Sequence, residues 1–249
     1  MDLKVKGKNA IITGAGKGIG KACALAFAAE GINLFLNDLD VASAEETVAE
    51  AKAMGVDAFA IGGNVASEVD MKAMFKAAFD KFGRIDIVIN NAGISPKLPF
   101  YEITPEMFSQ VLDINLKSTF ICCKEAYFYM KDNGWGRIVN LSSLAGLEGG
   151  QNSAVHYSAS KAGILGLTKT LARQMGQYGI TVNCVAPGRI DTAMTRMLSP
   201  EKIAAVLERV PLGRLGTVEE VAKVILFLAS DGGSYITGTC VEILGGYHC

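Results

Sequence analysis

Short, nearly continuous apolar runs alternate along this chain with longer segments in which apolar residues recur at helical spacing. "NAIIT" at 9–13, "INLFLN" at 32–37, "DAFAIG" at 57–62 and "IDIVIN" at 85–90 read as strands. So do "RIVNLS" at 137–142, "TVNCVA" at 181–186 and "CVEIL" at 240–244. A strand buried on both faces has no side to show to water, so its sequence runs apolar instead of alternating. The intervening segments read as helices. The first runs to about Glu30, and one rich in Ala, Glu and Lys covers 42–54. This alternation predicts an α/β fold: a doubly wound, Rossmann-type parallel sheet with helices on both faces. No linker, repeat or low-complexity stretch interrupts it, which predicts a single domain over 1–249. Residues 187–215 are the least regular, with Pro and Gly bracketing short helical pieces. That pattern predicts a flap over a substrate, at about 188–215.

A length of 249 residues, 50% of them hydrophobic, suits one compact unit with a sizeable core. The formal net charge of −1 gives no basic excess, which argues against nucleic acid or an anionic membrane as the main partner. The opening "MDLKVKGKNAIITG" lacks the apolar core and small-residue cleavage site of a secretory signal. No apolar run is long enough to span a bilayer, so the expected location is the cytoplasm. The cysteines (Cys23, Cys122, Cys123, Cys184, Cys240 and Cys249) form no CxxC pair and read as reduced, small core residues. His156 and His248 are the only two histidines, so no metal site is expected.

Candidate chemistry begins at the first strand, which ends in "TGAGKGIG", Thr13 to Gly20. Gly14 would allow the tight turn, Gly18 would let backbone approach a diphosphate, and Gly20 would let the helix pack near the strand. A helix N-terminus there presents free N–H groups and a partial positive charge to phosphates. The placement between strand and helix predicts a dinucleotide site with Lys17 and Ile19 in the same loop, although the spacing is GxxxGxG and not GxGxxG. The second strand ends at Asn37-Asp38. A carboxylate there accepts from ribose hydroxyls and repels a 2′-phosphate, which favours NAD(H) over NADP(H). Lys17 points the other way, because a cation in the loop would meet a 2′-phosphate. Asp40 is a second candidate for the ribose-reading role.

Tyr157 and Lys161, in "VHYSASKAG", stand four residues apart on one predicted helix face. An ammonium beside a phenol favours phenolate, so the pair predicts a tyrosine whose pKa is lowered from about 10 toward neutrality. Such a tyrosine exchanges a proton with an alcohol or carbonyl oxygen. Further motifs surround the pair: "RIVNLSSLAG" at 137–146, with Ser143 fourteen residues before Tyr157; "NNAG" at 90–93; Asn115 in "DINLKSTF"; and "PG" at 187–188, with Thr192 beyond.

Together these residues resemble the classical short-chain dehydrogenase/reductase family, from the glycine loop to the closing "ITGTCVEILGGY" at 236–247. The resemblance implies a seven-stranded Rossmann domain and hydride transfer between a nicotinamide cofactor and a secondary alcohol or ketone. It implies that Tyr157 is the general acid–base, and that Lys161 lowers its pKa and binds the nicotinamide ribose. Ser143, in preference to Ser142, would bond the substrate oxygen. Asn115 would hold a relay water. Asn90, Asn91, Ala92 and Gly93 would support the adenosine side. Pro187, Gly188, Ile190 and Thr192 would lie against the nicotinamide. Where relatives carry an acidic residue and Val at the third strand, to contact adenine, this chain has Asn64-Val65. The resemblance also implies a homotetramer, and the apolar "ICCKEAYFYM" at 121–130 fits a buried interface.

The flap and much of the C-terminal half are similar to bacterial 3-oxoacyl-carrier-protein reductases. Against that assignment, Asp38 points to NAD(H), and arginines that those reductases use to dock the carrier are replaced by "NGWGRI" and "GQYGI". The loop after NNAG reads "ISPKLPF" instead of continuing with an Arg-Asp pair. The leading expectation is therefore an NAD-linked dehydrogenase of a small alcohol, polyol or hydroxy acid. The alternative is an NADPH-linked 3-oxoacyl reductase, and a third reading is a dinucleotide sensor without turnover. Substrate-side candidates are Ser95, Ala145, Asn152, His156, Arg189 and Met194, with Pro96, Leu147 and Gly150 nearby. Arg189 would read an anionic group or pair with Asp191; His156 would contact substrate hydroxyls or serve as a local neighbour of Tyr157.

Overall fold

The computed structural model describes residues 2–149, 154–192, 195 and 199–247. Its strands are β1 Asn9–Thr13, β2 Asn33–Asp38, β3 Ala58–Gly62, β4 Ile87–Asn90, β5 Gly136–Leu141, β6 Ile180–Pro187 and β7 Cys240–Ile243. All pair in parallel in one sheet of order β3-β2-β1-β4-β5-β6-β7. The seven expected runs match these strands with ends moved by at most two residues. At β4 the move has a visible cause. Asp86, expected inside the strand, is buried just before it and accepts the Asn9 N–H at 3.0 Å, while Arg84 pairs with it from outside. Its side chain does at the strand entrance what a further ladder bond would do.

Each strand divides its apolar residues between two cores, because successive side chains point to opposite faces. Ala10 and Ile12 of β1 join Leu34, Leu36, Ile87 and Ile89 on one face. Helix α1 (Gly18–Ala29), α2 (Val41–Ala53) and the helix Val218–Leu228 cover that side with Phe27, Val48 and Ile225. Ile11 points the other way and joins Phe35, Val88, Ile138 and Val182. There α3 (Glu68–Phe82), α5 (Ser118–Met130) and α7 (Val155–Met175) supply Phe75, Cys123 and Met175.

Local signals set the helix starts. Asp40 caps α2, Ser67 caps α3, and Thr104 caps α4 (Pro105–Leu112) with Pro105 in its first turn. Thr217 and Glu220 form a reciprocal capping box on Val218–Leu228. Helix α1 differs: it starts after Lys17 with no side-chain cap, so the first N–H groups of α1 are left for another acceptor.

The irregular segment after β6 is anchored at its two ends to each other. Gly216 N–H donates to the Arg189 carbonyl at 2.9 Å, and Asp191 N–H donates to the Gly216 carbonyl at 2.8 Å. Between them runs the helix Pro200–Leu207. Asn152 and Met194, and Gly150 with them, lie outside the described residues. Among the described residues no helix is long and apolar enough to cross a membrane, and no group of His, Cys, Asp and Glu could hold a metal ion.

Candidate active site

A parallel sheet gathers the C-terminal ends of its strands along one edge, and the connections diverge between β1 and β4. This is the switch point at which open α/β sheets hold ligands. Thr13 ends β1 there and ties the two sides together. Its hydroxyl accepts the N–H groups of Asn91 and Ala92, both at 3.1 Å. The Asn91 amide then donates to the carbonyls of Thr13 and Gly14, at 2.9 and 2.8 Å. Asn91 thus closes the seam between the loops; its amide is spent on the protein's own backbone.

The glycine loop is shaped by close approach. Gly14 sits at φ +64°, and a Cβ on it would lie 2.9 Å from Ala92 Cα. A Cβ on Gly20 would lie 2.0 Å from the Gly14 carbonyl oxygen, so only glycine lets α1 start against the strand. Gly18 faces open space, with nothing within 4 Å of where its Cβ would stand. An uncapped helix start beside open space fits a dinucleotide diphosphate, with Gly18, Ile19 and Gly20 offering N–H groups.

Asp38, at the end of β2, accepts the Gly16 N–H at 2.8 Å on one carboxylate oxygen and the Asp40 N–H at 3.0 Å on the other. Each oxygen keeps a lone pair for a ribose hydroxyl. Asp40 is occupied otherwise: its carboxylate caps α2 through Ser43, and the hydrogen bond from the Ser43 hydroxyl, more than any other contact, holds its pKa below the ordinary value. Lys17 lies near enough to act electrostatically on Asp40 as well. Of the two candidate ribose readers, Asp38 is the one joined to the glycine loop. At the third strand, the Asn64 side chain turns back to accept Ala66 N–H at 3.0 Å, and Val65 is buried in the core. A cavity of about 490 Å³ opens beside Asn64, lined also by Ala66, Gln110 and Ile114.

On the other side of the switch point, Asn115 sits in a π-helical turn, Asp113–Lys117, between α4 and α5. The turn shifts the backbone ladder by a residue, a feature common at functional sites. Asn115 is fully buried. It accepts Ile94 N–H at 2.8 Å, donates to the Ile94 carbonyl at 2.9 Å and donates to the Ser160 hydroxyl at 3.0 Å. Gly93 lies against it: a Cβ there would be 3.1 Å from Asn115 Oδ1 and 3.5 Å from Lys161 Nζ. Ser95 and Pro96, just beyond this clasp, are half-buried.

Ser143 caps the short helix α6 (Leu144–Glu148) by accepting Ala145 N–H at 3.2 Å, and its hydroxyl stands near enough to the Tyr157 hydroxyl to act on its pKa. Ser142 is turned away and donates to the Lys161 carbonyl at 2.8 Å. The geometry therefore separates the two serines in the expected sense. The Lys161 ammonium is buried, donates to the Leu141 carbonyl at 2.7 Å and lies 5.8 Å from the centre of the Tyr157 ring. Removal from water pushes its pKa down from 10.5 to about 8.

The expected direction for Tyr157 is corrected. Burial raises its phenol above the ordinary value, and the Ser143 hydroxyl only partly offsets this. The ammonium stands over the ring and bonds β5, so the spacing of four residues does not by itself bring it to the hydroxyl. Of the two readings of His156, the local one agrees with the structure: it is fully enclosed, its Nδ1 accepts the Tyr157 N–H at 2.9 Å, and its Nε2 is buried with no partner among the described residues. Ala145 is buried in the first turn of α6.

Beyond β6, Gly188 N–H donates to the Ile243 carbonyl at 3.0 Å, Ile190 is buried, and the Thr192 hydroxyl lies 3.3 Å from that of Thr195. Pro187, which ends β6, is buried among the strand ends. Arg189 has a buried Nε with no partner, and among the described residues no carboxylate lies within ion-pair distance of it. The pairing with Asp191 is therefore absent. Four contributors escaped the sequence reading: the Thr13 hydroxyl, Gly16, the Ser160 hydroxyl and the Leu141 carbonyl. The first three lie inside quoted motifs; a main-chain carbonyl leaves no mark in a sequence.

An uncapped helix start at the switch point, a carboxylate joined to the glycine loop and a serine and tyrosine beside a buried lysine are parts found in dinucleotide-dependent oxidoreductases. A family model described as enoyl-(acyl carrier protein) reductase matches residues 14–248. The chain is similar to 3-oxoacyl-[acyl-carrier-protein] reductase FabG of Staphylococcus aureus, with 43% identity over 242 residues, 97% of this chain and 98% of that one. Among solved structures it is similar to levodione reductase, with a TM-score of 0.93, 33% identity and 98% of each chain covered. It is also similar to 3-oxoacyl-[acyl-carrier protein] reductase from Brucella melitensis, with a TM-score of 0.91, 38% identity, and 99% of this chain and 93% of that one covered. The chain belongs to the short-chain dehydrogenase/reductase family, oxidoreductases that act on CH–OH groups with a nicotinamide dinucleotide.

The buried Lys161 generates a prediction about pH. Its folded-state pKa lies below the unfolded one, so the charged form costs stability at neutral pH. That cost falls as pH rises from about 8 toward 10.5. Lys161→Met removes the charge. Relative to this variant, the wild type should gain roughly 2 kcal/mol of unfolding free energy between about pH 8 and about pH 10. Urea titrations at both pH values measure it; a constant difference would mean that Lys161 is not desolvated.

Proposed function

We propose that this chain reduces 3-oxoacyl thioesters to 3-hydroxyacyl thioesters, and that NAD(H) is its cofactor. The observation that carries the substrate class is likeness along nearly the whole chain, flap included, to a 3-oxoacyl-[acyl-carrier-protein] reductase. This favours the alternative raised from the sequence over a dehydrogenase of small alcohols or polyols. In this reading residues 1–249 act as one dinucleotide-binding and catalytic unit, with the flap over the acyl side.

The roles follow from the chemistry of each group. A phenol held above its ordinary pKa is protonated at neutral pH, so Tyr157 is suited to give a proton to a ketone oxygen. Ser143, whose hydroxyl stands beside that phenol, would donate to the same oxygen. The nicotinamide, when bound, supplies the hydride. Lys161 would hold its ribose, and Asn115 would fix the Ile94 loop beside Lys161 and support the relay water. Pro187, Gly188, Ile190 and Thr192 would line the nicotinamide side, with Ser95 and Ala145 toward the substrate. Asp38 supports NAD(H), because both its oxygens are fixed by backbone N–H groups at the place where a 2′-phosphate would come.

One observation favours a second reading. Among the described residues the guanidinium of Arg189 has no carboxylate partner, and its buried Nε has no hydrogen-bond partner. Such a group would recognise a substrate carboxylate, which makes the protein a dehydrogenase of a small hydroxy acid.

Three outcomes are expected. Purified protein with NADH should turn over acetoacetyl coenzyme A, and Tyr157→Phe should lower kcat by at least about a hundredfold with NADH binding kept. Turnover of acetoacetate but not of the thioester would install the second reading. In fluorescence titrations NADH should bind at least about tenfold tighter than NADPH, a difference of about 1.4 kcal/mol, and Asp38→Ser should erase it. Equal affinities in the wild type would remove Asp38 as the ribose reader. The homotetramer would bury the exposed Phe120 and Phe128 of α5; a monomeric mass by light scattering at micromolar concentration would rule it out.

A further inference from the structure

Cys184 of β6 and Cys240 of β7 occupy the same rung of the sheet. Register partners on adjacent strands carry their side chains on one face, with backbones about 4.8 Å apart. A disulfide spans Cα separations of about 4.4–6.8 Å, a range that includes the spacing of adjacent strands. Both cysteines are free, and their thiols lie close enough to act on each other electrostatically. It also lies 3.6 Å from the Thr239 carbonyl.

The other described cysteines offer no such pair. Cys23 is enclosed in the core, and burial pushes its thiol far up. Cys122 packs on Met71 and Cys123 on Asn140, each enclosed, and as chain neighbours in α5 they cannot align. Cys240 is partly exposed, so an oxidant reaches it. The neighbouring Cys184 thiol holds that of Cys240 below the ordinary value against its partial burial and the Glu242 carboxylate, and the Lys169 ammonium on α7 adds to the lowering.

We propose that Cys184 and Cys240 form a peroxide-reactive dithiol site that closes into a disulfide between β6 and β7. The Cys240 thiolate attacks one oxygen of hydrogen peroxide. An S–O bond forms, the O–O bond breaks, and the second oxygen leaves as hydroxide, which takes up a proton to become water. The Cys184 sulfur then attacks the Cys240 sulfenic acid; the S–S bond forms, the S–O bond breaks, and a second water leaves with the Cys184 proton. Two thiols are oxidised and one peroxide is reduced. The bond would sit three rungs from Pro187 and Ile243, where β6 and β7 hold the root of the flap.

The test uses the full-length protein and does not depend on its substrate. Native protein is treated with hydrogen peroxide, the remaining thiols are alkylated after denaturation, and proteolytic peptides are mapped by mass spectrometry. A peptide pair joined through Cys184 and Cys240, absent after dithiothreitol, is the expected result. In Cys184→Ala the cross-link should vanish, and a dimedone adduct should appear on Cys240. The proposal is overturned if, in the wild type, Cys184 remains alkylatable while Cys240 is carried to sulfinic acid. It is equally overturned if Cys240 pairs with Cys249, or if both cysteines remain reduced. The wild-type map decides the matter even where the variant fails to fold.

Discussion

The burial of one ammonium organises the active side of this molecule. Lys161 has been taken out of water and given the carbonyl of Leu141, at the end of β5. A charged group in such a place is costly unless its partners are fixed. The neighbouring contacts supply that fixing. Ser142 donates to the Lys161 carbonyl, so consecutive residues at the strand end hold the side chain and the backbone of the same lysine. Helix α6 then presses on α7 so closely that a Cβ on Gly146 would lie 2.6 Å from the Lys161 carbonyl carbon. This contact brings Ser143, at the start of α6, to the hydroxyl of Tyr157. Serine and tyrosine meet because the lysine between their elements is pinned.

The cofactor side rests on a different kind of constraint, which is main chain against main chain. Thr13 and Asn91 stitch the ends of β1 and β4 with hydrogen bonds to backbone groups. Gly14 and Gly20 permit distances that a side chain forbids. The side chains that the motif names are therefore partly occupied in shaping the loop. Asp38 combines both tasks, bonding Gly16 on one oxygen while both oxygens keep lone pairs for a ligand.

The sheet was legible because its strands are covered on both faces, and a doubly buried strand can only be apolar. "NAIIT" and its counterparts carry that signal without any homologue. The serine, tyrosine, lysine and asparagine were legible as a set for another reason: four residue types at set places along an α/β pattern are far more specific than any one of them. What escaped depends on distances in space. The spacing of four residues places Lys161 near the Tyr157 ring, but whether its ammonium turns to the phenol or to Leu141 is decided by a strand end twenty residues away. The enclosure of His156 follows from which side of α7 faces the core at its first turn, a choice that a helix start without a capping side chain does not announce. The π turn at Asp113–Lys117 is likewise silent, since one residue of altered pitch leaves the apolar spacing of the flanking helices unchanged.

The paired backbone bonds between Arg189 and Gly216 close the flap into a loop whose two feet stand on one spot. The entropy of holding such ends together grows only slowly with the length of chain between them. Residues can accordingly be added to or removed from the loop with little strain reaching β6 or the register of the sheet. The excursion can thus vary in length and sequence from one lineage to the next while the strand ends and helix starts that carry Ser143, Tyr157 and Lys161 stay where they are.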